Sequence, residues 1–332
     1  MDTLAYVALV ATINSIIFSF IPSFDSQRPL SSSFAFDSEN HYDHLSYGYN
    51  LSQQTILQQQ QSFENETKEK NDPIAYTVYH TDYSDSMMKV LKKHFSYPNT
   101  KNYLYEDTSR RAILGNFSSE FSFIVGGTSY NEIIKNRFQI ANYYHFDSDD
   151  IVVYDIENRS STPRFEKSDP VSSISRVMET IRWEGYRAGV TPDYGFITTY
   201  YKEIEWENVD FLGIQIQRFS NNYELLLKWA SEISAFVKSK NPNTEVFVQL
   251  SFRQASNCYH SEGNRGIDDA CKVDPYETMR ILKENLSAVA QLQTVDGFII
   301  SYPRHLCPSE LCTPGNLDEI MTHIENIRRW IE

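Results

Sequence analysis

The stretch DIVVYDIE, Asp150 to Glu157, ends in two carboxylates two residues apart, Asp155 and Glu157. In an extended strand, side chains two apart point to the same side. Ile151, Val153, Asp155 and Glu157 therefore share one face, and Val152, Tyr154 and Ile156 the other. Two carboxylates held side by side repel, so one takes up a proton more readily and can serve as a general acid. Glu157, nearer the rim, is the expected acid/base. Asp155, below it, is expected to share its proton or to stabilise positive charge. Such a pair is the equipment of a glycosidase.

Two further runs repeat the pattern. In DFLGIQIQR, Gly213, Gln215 and Gln217 alternate with Leu212, Ile214 and Ile216. In EVFVQLSFR, Phe247, Gln249, Ser251 and Arg253 alternate with Val246, Val248, Leu250 and Phe252. Polar groups thus collect on one face at the end of each run, where they would converge on a common pocket. Gln215, Gln217, Gln249 and Arg253 are the expected contacts to sugar hydroxyls, and Tyr200 and Tyr302 the expected stacking surfaces. A buried amide layer is the structural alternative for the glutamines, since amides readily satisfy one another. His80 could enter the same pocket. A metal-dependent hydrolase using Asp155, Glu157 and His80 would lack a second convincing histidine.

The elements that carry these residues alternate along the chain. Strand-like runs are IAYTVYH, SEFSFIVGG, DIVVYD, YGFITTY, FLGIQIQ, EVFVQLSF and DGFIISYP, with an eighth within Asn102 to Asn116. Helical runs lie between them. In SDPVSSISRVMETIRWEG, Ser168 or Asp169 can cap, Pro170 suits the first position, and Gly185 can end the helix. Repeated βα units with apolar strands indicate a parallel sheet covered by helices. Residues 73–332 fit a (β/α)8 TIM barrel, which takes about 250 residues and carries its site at the strand C-termini. An open doubly wound sheet is the alternative, but no glycine-rich nucleotide fingerprint occurs; Gly126-Gly127 is a turn or close-approach signal. No cofactor is expected.

The chain has 332 residues and a net charge of −14, which argues against a nucleic-acid surface or a polybasic membrane-binding face. Leu4 to Phe24 carries no charge, enough residues to cross a bilayer as a helix. With Asp2 before it and no small-residue cleavage site after it, the run reads as a retained signal anchor over residues 1–24, with a cleaved signal peptide the alternative. Residues 25–72, rich in Ser, Gln and Asn, read as a flexible stalk. The barrel domain is then expected outside the cytoplasm, anchored by residues 4–24. Five N-glycosylation triplets begin at Asn50, Asn65, Asn116, Asn158 and Asn285. Four cysteines in an exported chain read as two local disulfides, Cys258–Cys271 and Cys307–Cys312. A zinc site using Cys258 and His260 is the alternative, although no C-x2-C spacing occurs.

Asp150, Asp155 and Glu157 resemble the strand-four signature DxxDxDxE of chitinase-type (family 18) glycoside hydrolases. Val153 stands at the middle aspartate, and Gln215 to Gln217 lie where that family has a Met-x-Tyr pair. The resemblance implies Glu157 as acid, with the acetamido group of the substrate as nucleophile. From about Asp149 onward the chain is also similar to uncharacterised exported archaeal proteins with a glycosidase-like barrel. That likeness implies a fold and a carbohydrate or surface-glycan partner. A non-catalytic barrel that binds glycans or a surface partner is the competing reading.

Overall fold

The computed structural model describes residues 75–80, 85–95, 102–107, 122–135, 150–252, 255, 274–302 and 310–331. All fall in one unit, Lys68–Glu332. The hydrophobic segment and stalk expected over residues 1–72 lie outside the described residues, as do Arg253, Cys258, His260, Cys271, Cys307 and the side chains of His80 and Tyr302.

Eight strands run parallel: β1 Ala75–His80, β2 Asn102–Asp107, β3 Ser122–Gly127, β4 Ile151–Tyr154, β5 Arg187–Val190, β6 Phe211–Ile214, β7 Glu245–Ser251 and β8 Gly297–Tyr302. Each pairs with its successor, and β1 also pairs with β8, so the order returns on itself. The helices are α1 Asp85–Phe95, α2 Arg164–Ser168, α3 Pro170–Trp183, α4 Tyr194–Tyr200, α5 Tyr223–Lys240, α6 Pro275–Val289 and α7 Pro314–Ile331. The expected parallel α/β sheet, curled and flanked by helices, is what the chain forms.

One strand differs from the sequence expectation. YGFITTY is rich in β-branched and aromatic residues, yet it forms helix α4. The strand is the preceding segment, Arg187–Val190. It is short, and its charged first residue and its glycine hide it from a propensity reading. That glycine has a packing role. A Cβ on Gly189 would stand 2.8 Å from Cγ2 of Val153 on the neighbouring strand, so only a bare backbone lets the interior close there. Helix α3 forms as read, with Asp169 accepting from the Ser172 amide and Gly185 adopting φ +86° after the last turn. Only glycine reaches that left-handed conformation without strain.

The alternation sorts two layers. Val152, Tyr154, Ile156, Ala188, Val190, Leu212, Ile214, Val246 and Val248 pack outward with the helices in one apolar cluster. Ile124, Ile151, Val153, Phe211, Phe247 and Ile299 form a separate interior cluster. Its largest members, Phe211 and Phe247, meet at 5.0 Å between ring centroids. Burying each such ring contributes about 1.5–3 kcal/mol. The apolar plug fills the interior, with the Arg187–Glu245 ion pair below it and the polar strand tips above.

Candidate active site

Asp155 and Glu157 lie just past the end of β4, but the strand's ladder continues beneath them. The Asp155 amide donates to the Gly127 carbonyl at 2.9 Å, the Thr191 amide to Tyr154 O at 3.0 Å, and the Asp193 amide to Ile156 O at 2.8 Å. Extended pairing on both sides keeps the two-residue alternation intact. Tyr154 and Ile156 are fully buried among the helices, and Val153 in the interior. The carboxylates therefore stand on the interior face, above Val153.

Two donors converge on one oxygen of Asp155. Thr191 Oγ1 donates to Asp155 Oδ1 at 3.1 Å and Gln215 Nε2 donates to the same oxygen at 2.6 Å. Gln215 Nε2 also donates to the Thr191 carbonyl at 2.7 Å, and Gln217 Nε2 approaches Gln215 Oε1 at 3.5 Å. Asp155 keeps part of its surface open, while its carboxyl is packed deep enough to lose most of its hydration. That burial raises its pKa far above the ordinary carboxylate range. The Glu157 charge pushes it the same way, against the Thr191 and Gln215 hydrogen bonds and Arg159.

Glu157 is held more loosely. Its amide donates to Thr162 Oγ1 at 3.1 Å, and that hydroxyl donates in turn to Thr128 O at 2.9 Å. Its carboxylate meets Arg159 Nε at 3.2 Å, an exposed partner. Burial raises the Glu157 pKa, Arg159 draws it back, and Asp193 pushes it up again. The two groups thus compete for ionisation, and a proton is shared between them. In the sequence reading Glu157 is the acid, with Asp155 sharing its proton or stabilising positive charge; burial raises the pKa of both carboxyls.

The glutamines separate by position. Gln215 follows β6 directly and is nearly buried, whereas Gln217 opens a 3-10 turn, Gln217–Phe219. Oε1 of Gln217 is buried without a hydrogen-bond partner. Gln249 lies on the interior side of β7 between the buried Phe247 and Ser251, and is half-buried. Ser251 pairs in register with Ser301, and both are buried. Tyr200 is not at a strand end. It closes helix α4, about 9 Å along the axis from the helix start, because the strand expected there is a helix. Thr191, Asp193 and Ser301 were not singled out in the sequence. The first two follow the unrecognised strand β5, so the Val-Thr-Pro-Asp tip could not be placed beside Asp155.

Among the described residues, no group of three or more His, Cys, Asp and Glu side chains could hold a metal ion, and no helix is long and apolar enough to cross a membrane. Cys312 is nearly buried, two residues before helix α7. Of the glycosylation triplets, Asn158 is exposed beside the site, whereas Asn285 is 2% exposed and donates from Nδ2 to Ser220 O at 2.8 Å. Asn285 is thus a packing residue. A concavity of about 690 Å³ opens beside it on the outer surface, lined by Tyr223, Arg280, Lys283 and His323 among others. Its cations are already paired, Arg280 with Glu277 and Glu284, Lys283 with Glu319.

No protein-family profile matches the chain, and no curated protein matches it in sequence. Solved structures match in overall form. A protein assigned as a fructose-1,6-biphosphate aldolase from Coccidioides immitis is 10% identical, with 78% of this chain and 89% of that chain covered and a TM-score of 0.43. The spore cortex-lytic enzyme SleL of Bacillus megaterium is 9% identical, with 75% and 73% covered and a TM-score of 0.45. Triosephosphate isomerase from Bartonella henselae is 6% identical, with 78% and 99% covered and a TM-score of 0.42. Nothing of their activities carries over to this chain.

Proposed function

We propose that the chain is a (β/α)8 barrel of glycoside-hydrolase type that acts on glycans outside the cytoplasm. The observation that supports this most is the pair at the tip of β4: two carboxyl groups with raised pKa, above a dry apolar plug, beside the amides of Gln215 and Gln217. Clustered, perturbed carboxylates are the usual mark of acid/base sites. Glu157, nearer the opening, donates a proton to the glycosidic oxygen. The bond from that oxygen to the anomeric carbon breaks, the leaving sugar departs as an alcohol, and water supplies the hydroxyl that bonds to the anomeric carbon. Asp155 passes the pair's shared proton to Glu157 before the step, and the pair regains a proton from water after it. Gln215, Gln217, Gln249 and Arg253 contact sugar hydroxyls, and Tyr302 offers a stacking face. Tyr200, on its helix, does not fit that role. The reading includes anchoring through residues 4–24, a stalk to residue 72, and disulfides Cys258–Cys271 and Cys307–Cys312.

A second reading rests on Val153. It fills the place of the middle aspartate of the chitinase-type signature and is wholly buried in the interior plug. A site that has lost that carboxylate could bind glycans without cleaving them. Screening the full chain against chitin-type and other surface glycans separates the two. Under the first reading, wild type cleaves at least one glycan. Glu157→Gln then lowers turnover by about 10²–10⁴-fold while binding persists, since the amide keeps the shape and loses the proton. Ligands without turnover, and a Glu157→Gln that alters affinity only, support the second. A wild type that neither binds nor cleaves any glycan overturns both.

A further inference from the structure

We infer that Thr191 is a positioning residue of the carboxylate pair: its hydroxyl and its carbonyl together fix which oxygen of Asp155 is held and which way the Gln215 amide faces. The inference rests on the proposed site but not on its substrate.

The geometry runs in one direction from Thr191. Its carbonyl can only accept a hydrogen bond, and the group that reaches it is Gln215 Nε2, at 2.7 Å. The NH₂ side of that amide must therefore face Thr191, which places it also on Asp155 Oδ1, at 2.6 Å. Gln215 Oε1 is left facing Gln217. The Thr191 hydroxyl adds a second donor to the same Asp155 oxygen, at 3.1 Å. With both donors on Oδ1, that oxygen carries the density of an anion, and Oδ2 is left to carry the proton. Thr191 thus decides which oxygen of Asp155 is the acidic one. A neutral carboxyl donates from one oxygen only, so this choice sets the direction in which the pair can pass a proton.

Thr191 is itself fixed by packing. It is 2% exposed. A Cβ on Gly213, on the adjacent strand, would lie 2.5 Å from Thr191 Cγ2 and 2.7 Å from Ile299 Cδ1. The missing side chain of Gly213 is the space that the threonine methyl occupies. The backbone holds its other end, because the Thr191 amide donates to Tyr154 O at 3.0 Å. A side chain clamped from the β4 and β6 sides has one rotamer, and its hydroxyl stays aimed at Asp155. Among the described residues, the charged groups acting on Asp155 are Glu157, which raises its pKa, and Arg159, which lowers it; Asp193 acts on Glu157.

The test reads Asp155 directly. The full chain is labelled with carbon-13 at aspartate carboxyls, the Asp155 signal is identified by its loss in Asp155→Asn, and its titration is followed in three proteins. A hydrogen bond to the charged form of a carboxyl lowers its pKa. Thr191→Val keeps the shape and removes the donor, so the Asp155 midpoint rises by about one pH unit. Thr191→Ser keeps the donor and loses the methyl, and its midpoint stays within a few tenths of a unit of wild type. Gln215→Met removes the other donor and shifts the midpoint in the same direction as Thr191→Val. A midpoint unchanged in Thr191→Val, or moved as far in Thr191→Ser as in Thr191→Val, overturns the inference. An Asp155 that titrates in the ordinary carboxylate range in wild type removes the shared proton of the proposed function. The displacement between wild type and Thr191→Val still decides the role of Thr191 in that case.

Discussion

Two clusters of buried ionisable groups teach opposite lessons. Between α1 and α7, His94 is fully buried with a carboxylate on each nitrogen: Nδ1 is 2.5 Å from Glu325 Oε1, and Nε2 is 2.6 Å from Asp318 Oδ1. Lys93 adds a 2.7 Å contact to Asp318, and its hydrogen bond, aided by His94, holds the Asp318 carboxyl below its usual range. At the tip of β4, by contrast, two carboxyls share a face, and Arg159, the cation paired with them among the described residues, is exposed and reaches only Glu157 within ion-pair distance. Their pKa values rise. Complementary charges staple one helix to another, whereas like charges over an apolar plug store a proton. Buried ionisable groups are common to both; the partner each one meets decides which becomes scaffold and which becomes chemistry.

The largest expected contrast is in turnover. Once a cleaved glycan is found, Glu157→Gln costs about 10²–10⁴-fold in rate. Glu325→Gln, on the far side of the helices, changes it by less than about twofold, as for sites that share no partners. Equal losses in both variants would dissolve the distinction. In stability the order reverses. Glu325→Ala strips a partner from a buried histidine nitrogen and lowers unfolding free energy by about 1–3 kcal/mol, read by urea denaturation at neutral pH. Glu157→Gln leaves stability unchanged or slightly raised there.

The pH dependence sharpens the contrast with a smaller effect. Asp318 has a depressed folded pKa, so the stability it contributes is present above its unfolded pKa and is lost as pH falls through the folded value. Asp155 has a raised folded pKa, so the folded state binds its proton more tightly than the unfolded chain does. Ionising it costs stability at alkaline pH, and that cost disappears as pH falls through the folded pKa towards the ordinary range. Asp155→Asn should therefore stabilise the protein by about 1 kcal/mol at alkaline pH and by nothing near pH 4, about the unperturbed value. Thermal unfolding across pH checks the sign. A variant that stabilises equally at both ends would mean that Asp155 is strained rather than charged.

How much of this was legible in the sequence depended on how long each signal ran. The β4 tip was readable because eight residues keep a strict two-residue alternation, and the ladder to β3 and β5 enforces it past the end of the strand proper. The glutamines and Phe247 were readable for the same reason. Strand β5 was not, because four residues with an arginine and a glycine carry no period, and the close approach of Val153 that demands the glycine is a tertiary fact. YGFITTY shows the converse. Its β-branched and aromatic content suggested a strand, yet the segment buries only Ile197, half-covers Tyr194, Phe196, Thr198 and Tyr200, and exposes Gly195 and Thr199. Losing β5 also hid Thr191, the residue that orients Asp155. The His94 clamp could not be read at all, since its partners lie 224 and 231 residues away.

The central claim is that the Asp155–Glu157 pair keeps one proton at neutral pH. A potentiometric difference titration of the folded wild type against the Asp155→Asn, Glu157→Gln double variant counts it. The account predicts two protons in the difference, of which one is released in or near the ordinary carboxylate range and the other remains bound at neutral pH. Release of both below about pH 5, where unperturbed carboxyls ionise, would contradict it.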